Sequence, residues 1–527
     1  MKRILPILIL AMLPVFRMMA DVRTAVSDLQ YTLLMADYRY FDTLNVDHLA
    51  ETAIRSMLKE LDPHTTYLTA DEVKAMNEDL GGNFEGIGVR YQMERDTLLV
   101  ISTVIGGPSE KVGIQAGDRI ILVNDTTIAG VKMTTKDIQK RLRGAKGTKV
   151  KVSVMRDNEM IDFHITRDKI PVYSIDASYM VDKSVGYIKI SRFATTTADE
   201  LIKAMDELKA QGMTDLIIDL QGNGGGYLQI AVDMASEFLD HNNLVVYTEG
   251  LKDPRKNSFA KKHRPFGGRL VVLIDEESAS ASEIFTGAMQ DWDRAVVVGR
   301  RSFGKGLVQM PVELPSGAMI RLTIAQYYTP CGRCIQKPYV KGEKDDYAKD
   351  IRQRYDRGEF FSADSIHFAD SLIYHTNGGR KVYGGGGIMP DVFVPLDTTK
   401  ISKTHRSLIA RGTLNRFVLD YFRNNQKSLH RKYKDFESFN RSFTVSDHIM
   451  NDLFDAARKD SITISDTTFT ASDIDLIKLQ FKAYIANDMY ENGSYSRIMN
   501  TRQNTFKAAL DLILDEKRYS EILNNNR

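Results

Sequence analysis

An α/β multi-domain architecture follows from three observations on the 527-residue chain. From Ile170 to about Pro395, short apolar runs alternate with helix-period segments, which implies βαβ units and a mainly parallel sheet. Residues 81–167 change character, becoming glycine-rich and then strand, turn and strand. Before and after these lie segments with helical spacing of apolar residues. The length itself exceeds one ordinary core, so three or more domains are expected.

The N-terminal region, 21–80, carries Leu29, Leu33 and Leu34, then Ala53, Ile54, Met57 and Leu58, at helical period. It breaks at the Asp62-Pro63 turn, after which Thr69 and Asp71 offer caps for another short helix. His64 sits in that turn and reads as a hydrogen-bonded structural histidine rather than a base. In 81–167 strands are expected near 86–91, 97–105 and 118–125, then a helix at 134–144 and a last strand pair, which amounts to one small domain. The core, 168–397, holds the alternating segments, with DLQGNGGG (219–226) and DEESAS (275–280) at strand C-terminal ends, where functional groups collect in such sheets. Residues 341–378 are highly charged and read as a surface insertion. The tail, 398–527, is polar and helical in period and reads as a separate helical region, a surface for association.

Composition excludes some classes. With 71 basic and 69 acidic residues and a formal net charge of +2, there is no electrostatic case for nucleic acid. Lys2 and Arg3 precede an apolar run from Ile4 to Phe16, as in a secretory signal, with cleavage after Ala20 or retention as an N-terminal anchor. An exported, periplasmic or cell-envelope protein is the expectation. The two cysteines, Cys331 and Cys334, lack the further Cys or His ligands that zinc requires, so neither metal nor cofactor is expected. They read as two small buried side chains, joined as a disulfide if the compartment is oxidising.

The chemistry concentrates in residues 273–309. Leu270–Ile274 is strand-like, and Ser280 then opens an amphipathic helix. Lys305 follows between Gly304 and Gly306, and Gln309 comes four residues later. A serine hydroxyl needs a base. For lysine to serve, its pKa must fall from about 10.4 to about 7–8, a shift worth about 4 kcal/mol that burial can supply. The apolar, glycine-flanked setting of Lys305 favours that desolvation. Ala281 N–H, at the helix start, and the run Gly224–Gly226 are candidate donors to an oxyanion. On residue types alone Ser280 reads equally as a helix cap, and Ser278 and Ser282 are rivals.

The ordered motifs GNFEGIGV, PSEKVGIQAGDRIILVN, DLQGNGGG, SASASEIFTGAMQD, SFGKGLVQ and YYTPCGRCIQ resemble the C-terminal processing peptidases, or tail-specific proteases, from about residue 61 to Pro395. The resemblance implies a serine endopeptidase with Ser280 as nucleophile, Lys305 as general base and Gln309 orienting the lysine. It puts Ala281 and Gly225 on the oxyanion donors and gives Asp291 a supporting place. Gln221 stands where the family usually has Arg, and Gly224 where Pro is usual. Residues 81–167 look like the family's PDZ domain, with Gly86, Ile87, Gly88 and Val89 as the loop that holds a chain terminus while the peptide adds as a strand. The implied partners are protein substrates with exposed C-terminal tails. Homo-oligomerisation through the N- or C-terminal helices and an adaptor protein complete the expectations. The alternative is a non-catalytic protein on the same fold that binds peptides or apolar ligands.

Overall fold

The computed structural model describes residues 5–94, 96–398, 401–464, 469–490 and 493–524, the side chains of 5–21 excepted. Residues 1–4 of the expected export segment lie outside the described residues. The backbone of 5–20 belongs to helix Leu5–Arg39. No described helix is long and apolar enough to cross a membrane.

The chain divides into two compact units: residues 1–70, 309–323 and 339–348, and residues 71–308, 324–338 and 349–527. In the first, helices Leu5–Arg39 and Val46–Lys59 precede strand Thr66–Leu68, which pairs antiparallel with Met319–Arg321. Asp62 fastens the Asp-Pro turn by accepting from the Thr65 N–H at 3.0 Å and the Thr323 hydroxyl at 2.9 Å. His64 Nε2 lies 2.8 Å from the Tyr347 hydroxyl, in keeping with its expected structural role.

The second unit is built on a six-stranded sheet, in the order Ile175–Met180, Val185–Ile190, Asp215–Asp219, Leu270–Ile274, Val296–Gly299 and Val392–Phe393. All neighbours are parallel except the first pair. Val, Ile and Leu fill the central strands because both faces are covered. On one face, helices Thr197–Ala210, Leu228–Ala235 and Ala281–Asp291 bury a core with Ile218, Val272, Phe238 and Phe285. On the other, Phe506, Leu512 and Ile513 of helix Asn504–Leu514 pack on Tyr187, Ile217 and Val271. Tyr519 exchanges hydrogen bonds with the backbone of Leu270, at 3.0 and 3.1 Å.

Two expectations are corrected here. The tail is not one separate region: helices from Lys403 to Met499 have their own core around Leu414, Phe439, Leu453 and Phe481, whereas 504–524 completes the sheet's second face. A polar average over 398–527 concealed the apolar stripe of the last helices. Nor is 341–378 merely a surface insertion. Arg354 is 1% exposed and donates to the carbonyls of Ser302 and Arg301, at 3.0 and 2.6 Å, while Glu359 receives Arg301 and Arg357. Most of the segment's charges stay exposed, and the buried ones, Arg354 and Glu359, are those that find charged or backbone partners.

Residues 89–166 form a second sheet, with Val89–Glu94 at one edge, followed by Thr97–Thr103, Arg119–Val123, Lys149–Arg156 and Glu159–Thr166. Leu98, Ile120, Val152, Val154 and Ile138 of helix Thr135–Leu142 make its core.

Candidate active site

Strand Leu270–Ile274 ends in a turn held by Asp275, whose carboxylate receives N–H groups of Gly222, at 3.0 Å, and Glu277, at 3.0 Å. Burial pushes the Asp275 carboxyl above the usual range. The turn delivers Ser280 at φ 57°, ψ −114°, a left-handed conformation that L residues rarely adopt and that costs of order 1–3 kcal/mol. Helix Ala281–Asp291 begins immediately afterwards.

The three candidate serines are distinct in this structure. Ser278 and Ser282 are fully buried, and their hydroxyls donate to the carbonyls of Leu220, at 2.8 Å, and Asn223, at 2.9 Å. Ser280 is partly exposed and carries the strained backbone. It stands at the N-cap and Glu283 bonds back to its N–H as in a capping box, but its dihedrals are not the extended ones of an ordinary cap.

Glu283, one turn into the helix, went unremarked as a site residue in the sequence. It is 1% exposed and accepts four hydrogen bonds. Oε1 takes the Ser302 hydroxyl at 2.5 Å and the Gly304 N–H at 2.7 Å. Oε2 takes the N–H groups of Ser280 and Lys305, at 2.8 and 2.9 Å. Burial raises the Glu283 carboxyl, and these donors oppose that rise. On the carbonyl side, the Tyr327 hydroxyl shares its one proton between Ser280 O, at 3.2 Å, and Lys305 O. The turn with the serine and the loop with the lysine are therefore joined twice through the backbone. The signals in sequence were the Ser-x-x-Glu spacing and an acid in the first turn of a largely apolar helix. Gln309 lies on strand Leu307–Glu313, in the part that belongs to the first unit.

The N–H of Ala281 is buried at the helix start and has no acceptor among the described residues. Gly225 departs from expectation: its N–H donates to Asn223 Oδ1 at 2.9 Å, so it is not open to a second group. The short side chain of Asn223, two residues back, captured it. What Gly225 supplies is close approach, since at φ +100° a Cβ there would meet Ala279 O at 2.7 Å and Ser280 Cβ at 2.8 Å.

Asp291 and Arg333 are an ion pair of 2.6 Å with no exposure at either side chain. Asp291 also accepts from Cys331 N–H at 3.0 Å, consistent with a supporting place. Cys331 and Cys334 are free thiols, and burial pushes Cys331 up to about 11. Gln221 keeps its backbone N–H on Asp219, at 2.8 Å, but its side-chain oxygen is buried without a partner among the described residues. Among the described residues there is no cluster of His, Cys, Asp and Glu suited to a metal.

In the second sheet, Gly86–Val89 leads into the edge strand. Neither the Ile87 nor the Gly88 N–H has an acceptor among the described residues, while Ile87 O is held by Ser109 N–H, at 3.0 Å, and by its hydroxyl, at 2.7 Å. Gly88, at φ +73°, makes the bend. Beside the loop lies a groove of about 60 Å³ lined by Ile87, Val89, Tyr91, Gln139 and Leu142. An unpaired strand edge ending at free N–H groups next to an apolar groove can take an extended chain by its terminus.

A serine-peptidase core with a PDZ-type domain is the class this arrangement defines. Residues 184–347 match peptidase family S41, residues 86–166 match the PDZ domain, and residues 404–491 match a family of unknown function. The chain is 36% identical over 316 residues to the carboxy-terminal processing protease CtpA of Bacillus subtilis (strain 168), covering 59% of this chain and 67% of that one. It is 37% identical over 325 residues to a probable CtpA-like serine protease of Staphylococcus aureus (strain MRSA252), covering 61% of this chain and 63% of the relative. A solved photosystem II D1 C-terminal processing protease aligns at 28% identity with a TM-score of 0.34, over 57% of this chain and 83% of that one. The chain belongs to the carboxy-terminal processing serine proteases of family S41.

Proposed function

We propose that the protein is an endopeptidase in which Ser280 attacks the scissile carbonyl and Lys305 takes its proton, with Gln309 orienting the amine. The observation that carries this reading is the pairing of a strained, partly exposed Ser280 with the buried, unpartnered N–H of Ala281. That N–H lies at a helix start, where the dipole favours negative charge, and suits the oxyanion of a tetrahedral intermediate. Attack forms the Ser280 ester and releases the amine, protonated by Lys305. Lys305, neutral again, deprotonates water, the hydroxide cleaves the ester, and Lys305 returns the proton to Ser280 Oγ. No metal or cofactor enters these steps.

Residues 86–89 hold the terminal carboxylate of a protein substrate, which adds as a strand along Val89–Glu94. The free N–H groups and unpaired edge support this reading. The protein acts in an exported setting, either released or anchored by its N-terminal segment.

The test is digestion of an unfolded protein with an apolar C-terminus by wild type and by Ser280→Ala. Cleavage by wild type alone is expected. Equal cleavage by both, or an inert wild type, overturns the assignment.

A further inference from the structure

The edge strand Val89–Glu94 has a second open side. Val89, Tyr91 and Met93 pack toward the small domain's core, so Arg90 and Gln92 face the other way. On that side lies a chamber of about 730 Å³, walled by Asn415, Val418, Tyr484 and Asp488 of the helical region and by Asp176 and Lys189 of the central sheet. Tyr91 lines both this chamber and the 60 Å³ groove, so the strand edge runs between the two cavities. Its hydroxyl is buried and lacks a partner among the described residues, a group that a bound chain would satisfy.

A chain added to this edge sends successive side chains to opposite faces. With its terminal residue directed into the small groove, the next-to-last residue enters the chamber. The charges there are unequal in availability. Lys189 is tied to Asp219 at 3.3 Å, and Asp176 receives the Ser191 hydroxyl at 3.0 Å. Arg90 is exposed, and its guanidinium makes no ion pair or hydrogen bond with a described residue. Asp488, which acts on it through space, is partly buried.

We propose that the helical region 404–491 is the second wall of the tail-binding site, and that Arg90 selects an acidic next-to-last residue in substrate tails. This rests on the reading that residues 86–89 take the tail carboxylate. Arg90 of the PDZ domain supplies the selecting charge, and the helical region closes the chamber that the next-to-last residue enters.

The test uses full-length Ser280→Ala protein and fluorescent ten-residue peptides ending in valine, identical except for Glu, Ala or Lys next to last. Anisotropy should show Glu bound about tenfold tighter than Lys, equivalent to about 1.4 kcal/mol, as one charge-assisted contact provides. Arg90→Ala should bring that ratio near one, Arg90→Glu should invert it, and Arg90→Lys should retain it. Equal affinities for the three peptides, or a ratio unmoved by Arg90→Ala, overturns the proposal while leaving carboxylate capture standing. If amidating the terminus leaves affinity unchanged, carboxylate capture itself fails, and the proposal fails with it.

Discussion

Ser280 and Lys305 share one acceptor: the backbone N–H groups of both residues converge on Glu283 Oε2, at 2.8 and 2.9 Å. The relationship fixes the spacing of the two loops without using either side chain. It also holds Ser280 in its left-handed conformation, since that residue's N–H has a buried carboxylate to meet.

Glu283→Ala leaves four donors without their acceptor. Stability should fall by about 3–5 kcal/mol, the scale for removing one partner from a buried charged network. Glu283→Gln retains the volume but turns an amide N–H toward donors. It should lower kcat by at least about 100-fold with little change in KM, because positioning is lost and substrate contacts are not. Steady-state kinetics and thermal melts of both variants check this.

Gly225→Ala places a methyl group against Ala279 O and Ser280 Cβ, at a backbone angle unfavourable to alanine. Peptidase activity should be lost while binding of a tail peptide persists, since residues 86–89 lie outside the central sheet and its serine turn. Anisotropy beside an activity assay separates the two.

Asp291→Ala strands the guanidinium of Arg333, which is fully buried. A loss of about 3–5 kcal/mol is expected on the same ground. Activity per folded molecule should stay within severalfold of wild type if Asp291 supports the fold and takes no chemical part. Circular dichroism and active-site titration measure these separately.

Burial pushes the Asp488 carboxyl up to about 6 from an ordinary 3.8, with Arg90 opposing the rise. A raised carboxyl favours the neutral form in the folded state. The penalty is absent at low pH, grows above the ordinary value and is complete above the folded one. Asp488→Asn should therefore stabilise the protein at pH 8 by at most about 3 kcal/mol, less with solvent screening, and by roughly half that at pH 5. Denaturant titrations of the helical region at both pH values check the sign.

Much of this was legible in the sequence. Alternating apolar runs disclosed the parallel sheet, and strand ends disclosed where the serine would stand. Three things were not. Residue types alone left Ser278, Ser280 and Ser282 open, and only the resemblance pointed to Ser280; which hydroxyls are committed to carbonyls is a tertiary fact. Glu283 looked like a helix residue because its partners, Ser302 to Lys305, are some twenty positions away in the chain. The burial of Arg354 and Glu359 within 341–378, and of the apolar stripe of 504–524, was not legible because a local average of charge cannot report which side chains find partners or apolar contacts after folding.

The central claim is that Ser280, activated by Lys305, becomes covalently acylated. A fluorophosphonate probe followed by peptide mapping tests it most directly. The account predicts one adduct on Ser280 in wild type and none in Lys305→Ala of unchanged fold. An adduct on Ser278 or Ser282, or equal labelling of Lys305→Ala, would contradict it.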